Sequence, residues 1–149
     1  MEEQAFPRII AQSLGMLEKY RRQYINECMK AYHIKGIMLP LILYVSRFPD
    51  SSQDDLVDFL GIDKSGIARK CRKLTDLGYL LREPLPGNRR QYRLTLSGAG
   101  MALMPVLIGH LQQWNRIITE GMSVEEQMEI ASYLERMAEK AEKAGKPNR

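Results

Sequence analysis

Along residues 6–32 apolar side chains return at helical spacing, at Ile10, Leu14, Leu17, Tyr24 and Cys28. No Gly or Pro interrupts the stretch from Leu17 to Tyr32, so the pattern predicts one long amphipathic helix. Residues 36–48 (GIMLPLILYVSRF) are almost continuously apolar. Their length favours a buried helix with Pro40 in its first turn, stopped by Pro49-Asp50. In SSQDD, Ser51 or Ser52 can cap a short helix over 53–60, with a carboxylate three residues on, and Gly61 ends it. Asp63 or Ser65 caps the next helix, which runs to about Leu77 and is closed by Gly78. The rhythm then changes. Tyr79, Leu80 and Leu81 lead into a tip holding Pro84, Pro86, Gly87 and Asn88, and Tyr92, Leu94 and Leu96 lead out, which predicts strand, turn and strand. A second long helix is expected over about 97–120, with Leu103, Leu107, Leu111, Trp114 and Ile118 on one stripe. Pro105 bends this helix or marks its true start, and Gly121 breaks it. Ser123-Val-Glu-Glu126 is a capping-box pattern opening a last helix. Its apolar stripe is Val124, Met128, Ala131, Leu134, Met137, Ala138 and Ala141, and the tail GKPNR is expected to fray.

Composition narrows the class. A chain of 149 residues with 44% hydrophobic and 27% charged residues fits one domain with a buried core, or one domain with an added dimerisation element. No apolar run reaches 18 residues and the start, MEEQAFPRII, lacks a hydrophobic signal region, so a cytoplasmic protein without a membrane span is expected. Cys28 and Cys71 form no CxxC pair and no disulfide framework, which fits a reducing compartment.

Net charge is +4, but it is unevenly spread. Residues 62–93 hold nine Lys/Arg (Lys64, Arg69, Lys70, Arg72, Lys73, Arg82, Arg89, Arg90 and Arg93) against Asp63, Asp76 and Glu83. The other 117 residues carry 13 basic and 15 acidic side chains. A basic block in a slightly acidic frame is the footprint of a polyanion binder or, on charge alone, a solvated face.

The helix pair before the hairpin separates these readings. On a helical wheel of the second helix, Ile67, Cys71 and Leu74 fall within about 60° of one another. Ser65, Arg69, Arg72 and Lys73 lie on the opposite side, and the small residues Ser65, Gly66 and Ala68 sit near the N-terminal end. A helix that enters a DNA major groove needs this layout. Small residues let its end approach the bases, Arg can bond guanine bidentately, and Lys and Arg further along neutralise phosphates. Two short helices across a glycine turn, followed by a basic hairpin, make a winged helix-turn-helix. The expected fold is therefore mainly α with a small β-hairpin. Residues 36–96 are the DNA-binding winged helix, and residues 1–35 and 97–149 form a helical dimerisation region. Candidate DNA contacts are Lys64, Ser65, Gly66, Arg69, Lys70, Arg72 and Lys73 on the helix and Asn88, Arg89 and Arg90 on the wing. A winged helix used only for protein contacts would lack the basic outer face. No Gly-rich phosphate loop, HExxH or G-x-S-x-G is present, and no enzyme is expected.

The stretch LVDFLGIDKSGIARKCRKLTDLGYLLREPLPGNRRQYRLTLSGAG resembles the core of the MarR (multiple antibiotic resistance) regulators. Asn88-Arg89-Arg90 takes the place of that family's D-x-R wing motif. Leu96-Ser97 with Gly100 takes the place of L-T-x-x-G, and the likeness covers about residues 36–104. The resemblance implies a homodimer on a pseudo-palindromic double-stranded operator, usually a repressor. It also implies that Arg69 is the recognition-helix arginine and that Arg90 enters the minor groove, where negative potential is enhanced. Gly66 and Ala68 replace polar residues common in the family, and Asn88 replaces an Asp that braces the wing arginine, so that brace loses its charge.

By the same resemblance, a small phenolic or other aromatic effector would release the DNA from a pocket near Leu17, Tyr20, Arg21, Tyr24 and Met38. A redox-sensing branch of the family uses an N-terminal cysteine, which keeps Cys28 open as either sensor or packing residue, whereas Cys71 lies on a buried stripe. A zinc-sensing branch needs clustered ligands, and His33 and His110 are far apart in sequence, so no metal or other cofactor is expected.

Overall fold

The computed structural model describes residues 6–145. Helix α1 spans Phe6–Cys28 and is followed by a 3-10 turn, Lys30–Tyr32. Next come α2 (Met38–Arg47), strand β1 (Ser51–Ser52), α3 (Gln53–Leu60) and α4 (Lys64–Asp76). The wing is β2 (Leu80–Leu85) and β3 (Asn88–Leu96), and α5 (Gly98–Ile118) and α6 (Val124–Gly145) complete the chain. Gly145 is the last residue of α6, and the expected fraying of the KPNR that follows it and the reading of the first five residues lie outside the described residues.

One expectation is corrected here. The first helix does not continue to residue 32. It stops at Cys28 because Met29 and Ile34 must both enter the core, and the chain folds between them. His33 adopts a left-handed backbone (φ 59°), and the Asn26 side-chain oxygen accepts the Gly36 N–H at 2.9 Å, which closes the corner. The hairpin forms as expected and gains a third strand. Ser51 and Ser52 pair antiparallel with Leu94 and Arg93, giving a three-stranded sheet of order β1-β3-β2. A two-residue strand carries too little alternation to be read from sequence.

Capping chemistry sets the helix boundaries. Of the two serines, Ser52 is the cap of α3, in a reciprocal box with Asp55, and Gly61 ends the helix in the left-handed region. Asp63, not Ser65, caps α4 through the Gly66 N–H. Ser97 caps α5 by accepting the Gly100 N–H at 3.1 Å, so Pro105 lies inside that helix and does not mark its start. Gly100 is required by close approach, since a Cβ there would lie 2.2 Å from the Tyr79 carbonyl oxygen. The Leu96-Ser97…Gly100 motif thus clamps the start of α5 onto the end of the helix-turn-helix, and the Ser97 hydroxyl also donates to the Gly78 carbonyl.

The core gathers Ile25 and Met29, Leu41, Ile42 and Val45 of α2, Leu56 of α3, and Ile67, Cys71 and Leu74 of α4. Leu80 and Leu94 of the sheet and Leu103 and Leu107 of α5 close it. Each such side chain contributes about 1.5–3 kcal/mol by leaving water. The chain forms two compact units, one running through Gln112 and the other beginning at Gln113. Helices α1 and α5 both feed the core.

Candidate nucleic-acid interface

Helix α4 presents its basic residues outward because its apolar residues are taken. Gly66, Ile67, Cys71 and Leu74 are buried, and Lys64, Ser65, Arg69, Arg72 and Lys73 are exposed. Lys70 and Ala68 are half-buried at the edges of that face. Gly66 departs from the expectation. It is not on the outer face but packs under the cap, where a Cβ would meet the Asp63 carboxylate at 3.0 Å and Ile62 at 3.1 Å. The Asp63 carboxylate accepts hydrogen bonds from the Ser65 hydroxyl and the Gly66 N–H. These hold its pKa below the ordinary carboxylate value, the Ser65 bond most, and the Arg69 charge adds to the effect. Burial pushes the Cys71 thiol up to about 11, partly offset by Arg82, so it stays a neutral packing group at neutral pH.

The wing is short and braced. Gly87 (φ 81°) follows Pro86 at the tip, a sequence suited to a tight turn. The Asn88 side-chain oxygen accepts the Arg90 backbone N–H at 3.1 Å, so Asn88 steadies the backbone of the wing arginine. Asn88, Arg89 and Arg90 are all exposed.

Two members of the basic block have side-chain partners within the fold. The Arg82 guanidinium lies over the Tyr92 ring at 4.3 Å, and Arg93 sits 4.0 Å from the Asp50 carboxylate. Both Nε atoms are buried without a hydrogen-bond partner. Period-2 alternation assigns them to faces only once the register, Arg82 opposite Leu94 and Arg93 opposite Glu83, is known.

Between α4 and the wing runs a groove of about 620 Å3 with Lys64, Ser65, Ala68, Asn88 and Arg90 along its sides. The α3 residues Gln53 and Asp54 and the wing residue Tyr92 also line it, and none was singled out from sequence. Asp54 pairs with Lys64 at 3.3 Å, and the Gln53 side-chain nitrogen is buried without a hydrogen-bond partner. Their position beside the α4 start follows from the helix-turn-helix itself, which was the available signal.

The expected effector residues are less gathered. Met38 is 0% exposed in the core and unavailable to a ligand, because the apolar run around it is the centre of the fold. Leu17 and Tyr20 are exposed on α1. Arg21 is held by Glu18 through two 2.8 Å hydrogen bonds, which lower the Glu18 pKa. Tyr24 is half-buried, and desolvation and the neighbouring Cys28 thiol raise its pKa. A cavity of about 310 Å3 between α1 and the start of α2 takes Arg21 of the five, together with Arg22, Ile25, Asn26 and Leu39. Among the described residues no group of three or more His, Cys, Asp or Glu side chains could hold a metal ion, and no helix is long and apolar enough to cross a membrane.

A profile described as the MarR family matches residues 34–91, which is α2 through the wing tip. A MarR transcriptional regulator from Methanosarcina mazei Go1 superposes with a TM-score of 0.87 at 30% identity, over 92% of this chain and 99% of its own. The chain belongs to the MarR family. Its fold is that family's winged helix, and the family is one of transcription regulators, not enzymes. The HTH-type transcriptional regulator BilQ of Clostridioides difficile (strain CD3) is 21% identical to this MarR-family chain over 79% of it and 80% of BilQ. A MarR family transcriptional regulator from Listeria monocytogenes, solved in complex with a 26mer DNA, has the same fold. Its TM-score is 0.78 at 18% identity, over 93% of this chain and 97% of its own.

Proposed function

We propose that this MarR-family protein is a homodimeric, sequence-specific DNA-binding repressor of the cytoplasm, released by a small aromatic effector. Residues 36–96 read the DNA, and the flanking segments 1–35 and 97–149 assemble the dimer. The observation that carries the reading is the exposed row Lys64, Ser65, Arg69, Arg72 and Lys73 beside a wing that holds out Arg89 and Arg90. The DNA in the complex of the Listeria regulator supports it, since that protein shares the fold. In this reading α4 enters a major groove, and Arg90 enters the adjacent minor groove from its Asn88-braced turn. Lys70 at the helix edge and Lys73 contact phosphates.

Dimerisation is supported by apolar side chains left in water. Ile9, Ile10, Leu14, Leu17 and Tyr20 of α1 are exposed, and so are Met128, Leu134 and Met137 of α6. An exposed stripe of this extent marks an interaction surface. The effector would occupy the cavity beside Arg21, whose guanidinium and apolar neighbours suit an aromatic carboxylate or phenol.

The deciding experiment titrates wild type, Arg90→Ala and Arg69→Ala against the native operator and a single-base variant at several salt concentrations. Arg90→Ala should weaken both DNAs by similar factors and lower the salt slope by about one. Arg69→Ala should compress the difference between the two DNAs, because arginine selects guanine by about 1–3 kcal/mol. Unchanged affinity in Arg90→Ala would remove the wing from the interface, and equal weakening of both DNAs by Arg69→Ala would reduce that residue to a phosphate contact.

A further inference from the structure

A second basic surface lies at the other end of α4. Between the end of α1, the 3-10 turn and α4 there is a cleft of about 620 Å3 with Lys30, His33, Lys35 and Lys73 on its walls. Among the described residues Glu27 is the one acidic residue lining it. All three lysines are exposed, and among the described residues none of them is ion-paired. The turn that carries Lys30, His33 and Lys35 is fixed at both ends. Met29 and Ile34 are buried in the core, and Asn26 holds the Gly36 N–H at 2.9 Å. The positive charges therefore stand on a preorganised corner, and little backbone ordering is needed to use them.

Lys73 belongs to this cleft and also to the adjoining groove along α4, where it stands with Arg69 and Arg72. The positive surface therefore continues from the wing groove, along the outer face of α4, onto the α1–α2 corner. Lys64 and Lys73 are nine residues apart, roughly 14 Å of helix rise. That equals the rise of about four base pairs. A row of exposed cations on this scale, of which Lys64 also pairs with Asp54, matches a phosphate backbone better than it matches a compact ligand.

We propose that the Lys30–His33–Lys35 corner, joined to α4 through Lys73, is a second backbone clamp that takes phosphates of the duplex flanking the segment read by α4. The corner adds affinity and register without base selectivity, because phosphate contacts carry no sequence information directly. The proposal rests on the DNA-binding reading above, but it concerns residues outside the winged helix-turn-helix.

The test uses the full chain and a labelled duplex of generic sequence, with anisotropy titrations over a KCl series. Lys30→Gln/Lys35→Gln should bind about fivefold more weakly, and its salt slope should fall by between one and two, at about 0.9 for each phosphate that is no longer neutralised. Glu27→Gln should act in the opposite direction and tighten binding by about twofold, because a repelling charge leaves the phosphate path. Thermal melts of both variants check that folding is intact, and a loss caused by misfolding would not reverse sign in Glu27→Gln. If the double variant keeps wild-type affinity and slope while Arg90→Ala loses affinity, the clamp is overturned and the winged-helix reading stands. If wild type binds no duplex, both fall. A third arm titrates inorganic phosphate at constant ionic strength and follows the His33 and Lys35 amide resonances. Saturable binding there, with the DNA slope of the double variant unchanged, would assign the corner to a free anion and overturn the DNA clamp.

Discussion

Helices α4 and α6 carry the same kind of amphipathic alternation and meet opposite environments. In α4 the apolar face, Ile67, Cys71 and Leu74, is fully buried, and the charged face is left for function. In α6 no residue is buried, and Val124 and Met128 are each 67% exposed. The winged core supplies a surface for α4 out of α2, α3 and the sheet. The apolar stripe of α6 is left exposed at Val124, Met128, Leu134 and Met137. An amphipathic pattern therefore specifies that a face wants covering, and it does not specify whether the cover comes from the same chain or from another copy.

The largest expected effect separates these two fates. Leu74→Ala should lower the unfolding free energy by about 2–5 kcal/mol, by the same amount at every protein concentration. Leu134→Glu should instead act through assembly. It should leave the folded winged domain intact by near-UV circular dichroism but raise the dimer dissociation constant by at least about tenfold, for each 1.4 kcal/mol of unpaired-charge cost. Light scattering against concentration checks it. A wild-type chain that stays at 17.2 kDa at micromolar concentration would break the comparison, because the α6 stripe would then be stable in water.

Gly100→Ala should cost about 1–3 kcal/mol, since the new Cβ would force α5 away from the Tyr79 carbonyl. Chemical denaturation measures this, and a cost near zero would mean that α5 can slide on the winged domain. The two capping boxes give a smaller and more discriminating pair. Ser52→Ala at the start of α3 should cost about 1 kcal/mol of global stability. Ser123→Ala removes the hydroxyl that accepts the Glu126 N–H in the matching box of α6, and its effect should appear as faster amide exchange in the first turn of that helix.

The smallest effect concerns acid. The folded Asp63 carboxyl is held below its ordinary value by the Ser65 hydroxyl and the Gly66 N–H. Its contribution is therefore fully present above the unfolded value and is lost as pH falls through the lower folded one. Wild type should exceed Asp63→Asn in stability at neutral pH, and the gap should close as the solution is acidified below the ordinary carboxylate range. A gap that does not change with pH would mean that the cap works through geometry alone.

Local chemistry made much of this molecule readable in advance. Gly61 and Gly78 ended helices where expected, Ser123 opened α6, and the Ile67–Cys71–Leu74 stripe assigned the buried side of α4. These features depend on contacts within a few residues, so spacing and side-chain type are enough to fix them. The family likeness in the wing and in Leu96-Ser97…Gly100 was likewise carried by residues close in sequence. Other outcomes required distant partners. Ser51-Ser52 became a strand only because β3 lay beside it, and α1 stopped at Cys28 only because Met29 and Ile34 were drawn into one core.

The same division holds in the candidate interface. Its basic composition was legible along the chain, but which cations face outward was not. Arg82 and Arg93 were drawn in by Tyr92 and Asp50, and Met38 was taken by the core. Lys30 and Lys35 joined Lys73 across more than thirty-five positions of chain. Sequence determines which faces are apolar and where turns form, because those follow from the residues' own solvation and backbone preferences. Only the folded chain decides which charges meet, because electrostatic proximity depends on through-space distance that no periodicity encodes.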